Sequence, residues 1–299
     1  MNYLKQIPSC LWLAGCCLLT CCWGCTNELL TERPATDGTP VKVVAEIEGT
    51  TTTKTDPATS TDDPGNTYDR SEFIDGDVIL IYKTDAGVGN NQQNYKYTFG
   101  EWKYAGGENK PINLQLGAKY YATYPAVYNG ISRDQSTEKN YIACNWLKTD
   151  KITPTSETLN FTGDGAFKHV NTKLSVTFEG DNTLTGTITN LKIKGDQLSG
   201  SSNGVEEITP YHIAADKYTW CCILFPKAVE TEITISLTYG GLSYQTTVKC
   251  GMQAGYHYAY TLRIRNELLV VKNTILEWIG ESAYDGNYNG DNNPTDGEN

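Results

Sequence analysis

Between Val41 and Glu48 the chain alternates. Val41, Val43, Ala45 and Ile47 fall on one face of an extended segment, with Lys42, Glu46 and Glu48 on the other. A period of two marks a half-buried strand. Val44 breaks the alternation and gives the second face one apolar contact. Gly49, four threonines and Lys54 come next, followed by Asp, Pro, Ser, Thr and Gly residues to about Asn66. This second stretch has almost nothing to bury and reads as a loop.

The same reading carried along the chain predicts strands throughout. Val78–Tyr82 is a continuous apolar run of the central-strand type. Tyr95, Tyr97 and Phe99 alternate, Gly100 turns, and Trp102 and Tyr104 alternate back as a hairpin. Ile112, Leu114 and Leu116 read as another strand, and Lys119–Tyr124 as one stopped by Pro125. A polar connection runs from Asn129 to Asn140, with strand-like pieces at Tyr141–Trp146 and Leu159–Phe161. Gly163-Asp164-Gly165 marks a shift. Beyond it, strands are expected around Leu174–Phe178, Leu184–Lys194, Tyr218–Phe225, Tyr256–Ile264 and Leu268–Ile279. The clearest hairpin is Ile233–Val248, where Gly240-Gly241 supplies the positive φ angles of a two-residue turn. No segment shows helical periodicity over a useful length, and from Ser282 the tail is polar. Many short strands with regular turns mean an all-β chain of sandwiches or barrels. The 299 residues suit two domains.

Composition agrees: tyrosine and threonine are plentiful and methionine scarce, which favours strands. A net charge of -11 with no basic cluster excludes a nucleic-acid partner. At the N-terminus, Lys5 precedes an apolar, cysteine-rich run from Leu11 to Trp23, the length of a signal-peptide core and too short to span a bilayer. Gly24-Cys25 then gives way to polar sequence. A small residue before cysteine resembles the lipobox of bacterial lipoproteins, which implies lipidation at Cys25. Leu13-Ala14-Gly15-Cys16 is the closer literal match, but cleavage before Cys16 leaves too short a core upstream. Past the signal, Cys144, Cys221, Cys222 and Cys250 remain. An exported chain permits a disulfide, and Cys250 could pair with Cys221 or Cys222. These four include no CxxC pair, so zinc is not expected.

Candidate chemistry is sparse. His169, His212 and His257 lack an accompanying serine or cysteine motif; HExxH and P-loop patterns are absent from the sequence, and the single GxSxG match, at Gly200 to Gly204, falls in a stretch, Ser199 to Gly204, that reads as a loop tip. The chain is therefore read as a non-enzyme without a cofactor. Asp285, Asn287, Asn289 and Gly290, with Asp296, match part of a calcium loop. The closing glutamate and flanking helices are missing, so a solvated tail is the preferred reading.

Several stretches together resemble the fimbrillin family, the type V pilins of Bacteroides-type bacteria. They are the lipoprotein signal, Val41–Glu48 with Lys54, Phe73–Ile79, Ala122-Thr123-Tyr124-Pro125, Phe167-Lys168-His169 with Lys173-Leu174, Ala254–Tyr258, and Ile275 with Trp278. Their order and spacing cover nearly the whole chain.

The resemblance implies two consecutive transthyretin-like Greek-key β-sandwiches. Residues 1–25 would be the signal peptide, 26–165 the first sandwich and 166–299 the second, with a polar tail at 280–299. The first strand would span 41–49 and a cleavable loop 50–66. It implies an outer-membrane lipoprotein precursor, held by its lipid anchor and then displayed on a surface pilus. A trypsin-like protease would cut after the first strand, at Lys54 or alternatively Arg70; Arg33 is shielded by Pro34. The displaced strand would carry Val41, Val43, Ala45 and Ile47. A neighbouring fimbrial subunit would fill the groove with a C-terminal strand, here Glu267–Ile279 with Leu268, Val270, Ile275 and Trp278. The pilus would support adhesion to a host or bacterial surface receptor. If Glu267–Ile279 stays in its own sheet, the chain is a tip or accessory subunit. A second class, a lipid-anchored glycan-binding protein, would stack sugars on exposed Trp102, Tyr104 or Trp146.

Overall fold

The structure, a computed structural model, describes residues 37–48, 72–84, 91–107, 110–201, 204–213 and 217–278. They belong to one compact unit, Arg33–Asn299, which contains two hydrophobic cores.

The first core lies under a six-stranded sheet. Its elements are β1 (Lys42–Ala45), β2 (Val78–Thr84), β3 (Gln92–Thr98), β4 (Glu101–Tyr104), β5 (Lys119–Tyr124), β6 (Leu147–Lys148), β7 (Thr158–Phe161) and β8 (Lys168–His169). The large sheet has the order β4-β3-β2-β5-β6-β8, while β1 and β7 form a separate parallel pair. Ile79 and Ile81 of β2 point into the core, as alternation on a central strand requires. The β3–β4 hairpin turns through Phe99 and Gly100, both at positive φ, which matches the strand twist.

The second core lies between two sheets. It is built from β9 (Thr172–Gly180), β10 (Ile188–Asp196), β11 (Val205–Ile208), β12 (Tyr211–His212), β13 (Thr219–Leu224), β14 (Thr231–Tyr239), β15 (Leu242–Cys250), β16 (Tyr256–Ile264) and β17 (Leu268–Glu277). The sheet orders are β11-β10-β14-β15 and β12-β13-β9-β16-β17. Ile233, Ile235 and Leu237 face Leu174, Val176, Tyr258, Tyr260 and Leu262 across this core. Ile131, Tyr141 and Cys144 join it although they precede β6 in sequence.

Some expectations change. Tyr141–Trp146 is not a strand: α1 (Glu138–Cys144) occupies most of it. Thr137 caps that helix by accepting a hydrogen bond from the Asn140 backbone N–H at 3.3 Å. Seven residues are too few for the 3.6-residue pattern to stand out. Ile112–Leu116 forms no regular strand either. Ile112 and Leu114 are buried, but Leu116 is exposed beside the turn at Gly117. Val44 is exposed. Cys144, Cys221, Cys222 and Cys250 are buried thiols, and the expected disulfide from Cys250 to Cys221 or Cys222 is not formed. Burial raises the Cys222 thiol well above the usual range and the Cys250 thiol to about 11.

Candidate functional site: the first strand and its groove

The extended segment 38–48 around β1 is held by two different partners. Its N-terminal approach pairs with the extended segment at 112–114. The Val41 N–H donates to the Ile112 carbonyl at 3.0 Å, and the Leu114 N–H to the Thr39 carbonyl at 2.8 Å. β1 itself pairs in parallel with β7 over its whole length, from Lys42 opposite Thr158 to Ala45 opposite Phe161. The contact continues through Glu48 N–H to Phe167 carbonyl (2.8 Å) and Phe167 N–H to Glu46 carbonyl (2.9 Å).

The side chains follow the alternation read from sequence. Val41, Val43 and Ile47 are buried and Ala45 is half-buried, while Lys42 and Val44 are exposed. Ile112, Leu114, Leu159, Phe161 and Phe167 belong to the same core, so β1 fills an apolar trough. Fully burying a Val or Ile contributes about 1.5–3 kcal/mol. The three buried aliphatics thus contribute about 5–9 kcal/mol as an upper bound.

Two tyrosines shape the trough in a way alternation alone does not reveal. The Tyr95 hydroxyl accepts from the Ile112 N–H at 3.2 Å and the Tyr120 hydroxyl from the Gln115 N–H at 2.8 Å. They reach across the core and fix the irregular segment that β1 pairs with. Burial pushes the Tyr95 phenol up to about 12, so it stays neutral at any physiological pH. The sequence signal was only an inward-facing tyrosine; its partner lies in a segment of no regular class.

The C-terminal candidate strand is β17. It pairs antiparallel with β16 along its length and sits at the edge of its own five-stranded sheet. Leu268 and Trp278 are buried, whereas Val270 and Ile275 are 45% and 54% exposed. Leu268, Val270 and Ile275 pair with Ile264, Leu262 and Tyr258, all buried, so they share the core-facing side, with Val271 forming a bulge. Val270 and Ile275 therefore remain largely exposed on the core-facing side of β17, while Leu268 is covered.

Other expected positions are dispersed. Cys16, Cys25, Lys54, Arg70, Asp285, Asn287, Asn289 and Asp296 lie outside the described residues. Trp102 is buried against Phe73 and Tyr97, so it offers no sugar platform. Trp146 is half-buried, stacked on Tyr128 at 5.0 Å. His169 and His257 each have a polar partner in the packed interior: His257 Nε2 is 2.8 Å from the Ser175 hydroxyl, and His169 Nδ1 is 2.9 Å from Asn145 Oδ1. Among the described residues no cluster of three or more His, Cys, Asp or Glu could hold a metal ion.

The fimbrillin-like family model matches residues 58–278. Among solved structures, a candidate cell adhesion protein from Bacteroides ovatus superposes with a TM-score of 0.59 at 16% identity, covering 82% of this chain and 99% of that one. One from Bacteroides uniformis gives 0.54 at 20% identity, covering 69% and 93%. At these identities the likeness concerns the fold. No curated protein matches the chain. An all-β fold of this kind, under a family match that takes in all the strands from β2 to β17, makes the chain a member of the fimbrillin-like family.

Proposed function

We propose that this chain is the precursor of a surface pilus subunit, activated by removal of β1 and assembled by strand exchange. The observation that carries the reading is β1 itself. It is a four-residue strand with three buried aliphatics nearby in sequence, lying in a trough of Ile112, Leu114, Leu159 and Phe161. The 112–114 segment and β7 already present backbone partners along that trough, so an incoming extended segment finds hydrogen bonds and pockets at once. Until activation β1 covers them and blocks premature pairing. The two cores correspond, in this reading, to two consecutive sandwiches. Cys25 carries the lipid that retains the precursor at the outer membrane, and Lys54 is the site of cleavage. Adhesion through the assembled pilus is the biological role.

A second reading concerns the position in the pilus. β17 pairs with β16 from Leu268 to Glu277 and is anchored by the buried Leu268 and Trp278. Peeling it away exposes far more structure than releasing β1. This favours a subunit that accepts a strand without donating β17, at the tip or in an accessory place.

Limited trypsin treatment of the purified precursor tests the function. Ladders resistant to SDS in the cut wild type, and none in Lys54→Gln, are expected. Ladders from Lys54→Gln but not Arg70→Gln would move the site to Arg70. Ladder formation with β1 still protected from hydrogen exchange would overturn the strand-exchange reading.

A further inference from the structure

The outer face of the sheet β11-β10-β14-β15 is interrupted where β10 shifts register against β14. Thr189 lies opposite Thr238 and Lys192 opposite Ser236, so β10 carries one extra residue there. Asn190, in that bulge, has a φ of +53°. A non-glycine residue in the left-handed region inside a sheet is a local strain, and bulges re-aim side chains at functional sites. Here the bulge opens a depression of about 370 Å³ on the β14–β15 hairpin, within the size range of small-ligand sites.

Its polar lining is uncharged. Asn190, Ser236, Thr238, Ser243 and Gln245 contribute two amides and three hydroxyls. Register explains their convergence: Ser236 lies opposite Gln245 and Thr238 opposite Ser243, both pairs on the face away from the core. The Asn190 amide donates to the Thr238 hydroxyl at a long 3.4 Å. Each amide and hydroxyl both donates and accepts, which is the complement of a vicinal diol. An acidic ligand would need a cation. The nearest on this face by register is Lys192, and it is engaged by Glu207 at 3.4 Å and by the Thr209 hydroxyl at 2.7 Å.

We propose that this depression binds a neutral saccharide unit. The site lies on the second core's outer face, away from the β1 trough, and does not depend on strand exchange. The test uses the full, uncleaved precursor on an array of neutral, sialylated and sulfated oligosaccharides, followed by titration of the strongest neutral one. Retention of a neutral oligosaccharide is expected, with at least a tenfold loss in Asn190→Gly/Gln245→Ala. Glycine suits the positive φ and keeps the bulge, and thermal unfolding checks that the variant is folded. Should it unfold, exposed Gln245→Ala alone decides, with a several-fold loss expected. Retention of acidic oligosaccharides only, of none at millimolar concentration, or unchanged binding by the folded variants would overturn the proposal.

Discussion

The imidazole of His169 lies flat on the indole of Trp278, with ring centroids 3.7 Å apart and planes within 7°. His169 ends β8, in the six-stranded sheet, and Trp278 directly follows β17. The Trp278 N–H also donates to the Gly255 carbonyl at 2.6 Å. The end of the last strand is thus fastened to the sheet that covers the first core. Trp278→Ala should destabilise the chain by about 3–5 kcal/mol, the usual cost of emptying a buried tryptophan site. A double-mutant cycle with His169→Ala should give a coupling of about 0.5–1.5 kcal/mol in urea unfolding. Additive variants would mean the stack contributes only burial.

The same histidine makes stability depend on pH. Burial first, and the Lys173 ammonium second, lower its pKa from 6.5 to about 3. The folded state therefore keeps His169 neutral where the unfolded chain takes up a proton. The stabilisation is present above pH 6.5 and is lost as pH falls from there towards 3. At about 1.4 kcal/mol per pH unit, His169 alone should cost about 2 kcal/mol between pH 6.5 and 5. The half-buried His257 shifts in the same direction, again by burial first and Lys173 second. Urea midpoints at pH 7.5 and 5 should fall less in His169→Asn than in wild type. Equal slopes would show that His169 does not carry this term.

Gln135 completes a strand that β12 leaves short. β12 pairs only with Trp220 and Cys221 of β13. Two residues on, the Ile223 N–H donates to Gln135 Oε1 and Gln135 Nε2 donates to the Ile223 carbonyl, both at 2.8 Å. The amide side chain stands in for a strand residue and staples the 129–137 connection to the second core. Gln135→Ala strands two buried backbone groups, at about 1–3 kcal/mol each. Faster hydrogen exchange at Ile223 and a lower urea midpoint are expected; an unchanged midpoint would mean another group takes over.

What the sequence disclosed follows from range. Alternation at Val41–Ile47 and the turns at Gly100 and Gly240-Gly241 are local and appear in the structure as read, whereas Phe99, read as the last alternating strand residue, is exposed and shares the turn with Gly100. Helix α1 was hidden because its identity rests on the Thr137 cap and tertiary packing of Tyr141 and Cys144, not on a repeating pattern. The segment at 112–116 looked like a strand because Ile112 and Leu114 alternate. It is held by Tyr95 and Tyr120 hydroxyls instead of a ladder. The bulge at Asn190 and the amide of Gln135 depend on partners 40 or more residues distant, which no local pattern encodes.

Val43 allows the β1 trough to be opened without a protease. It is buried at the centre of β1, flanked by Val41 and Ile47 on the same face. An aspartate there either carries a charge into an apolar trough or leaves it, and burial without a partner costs several kcal/mol. That is comparable with the whole hold estimated for the three aliphatics, so Val43→Asp should eject β1 while leaving the chain intact. Val44→Asp is the control, because Val44 is 49% exposed and a charge there reaches water. Hydrogen exchange should show Val41–Ile47 unprotected in Val43→Asp and protected in Val44→Asp. Uncut Val43→Asp precursor should then form SDS-resistant ladders that wild type forms only after trypsin. Protection retained at β16 and β14 distinguishes strand release from general unfolding. If Val43→Asp frees the strand, keeps both second-core sheets and still stays monomeric beside a cut wild type that assembles, an empty trough is not sufficient for assembly. The cut must then act by liberating some other segment.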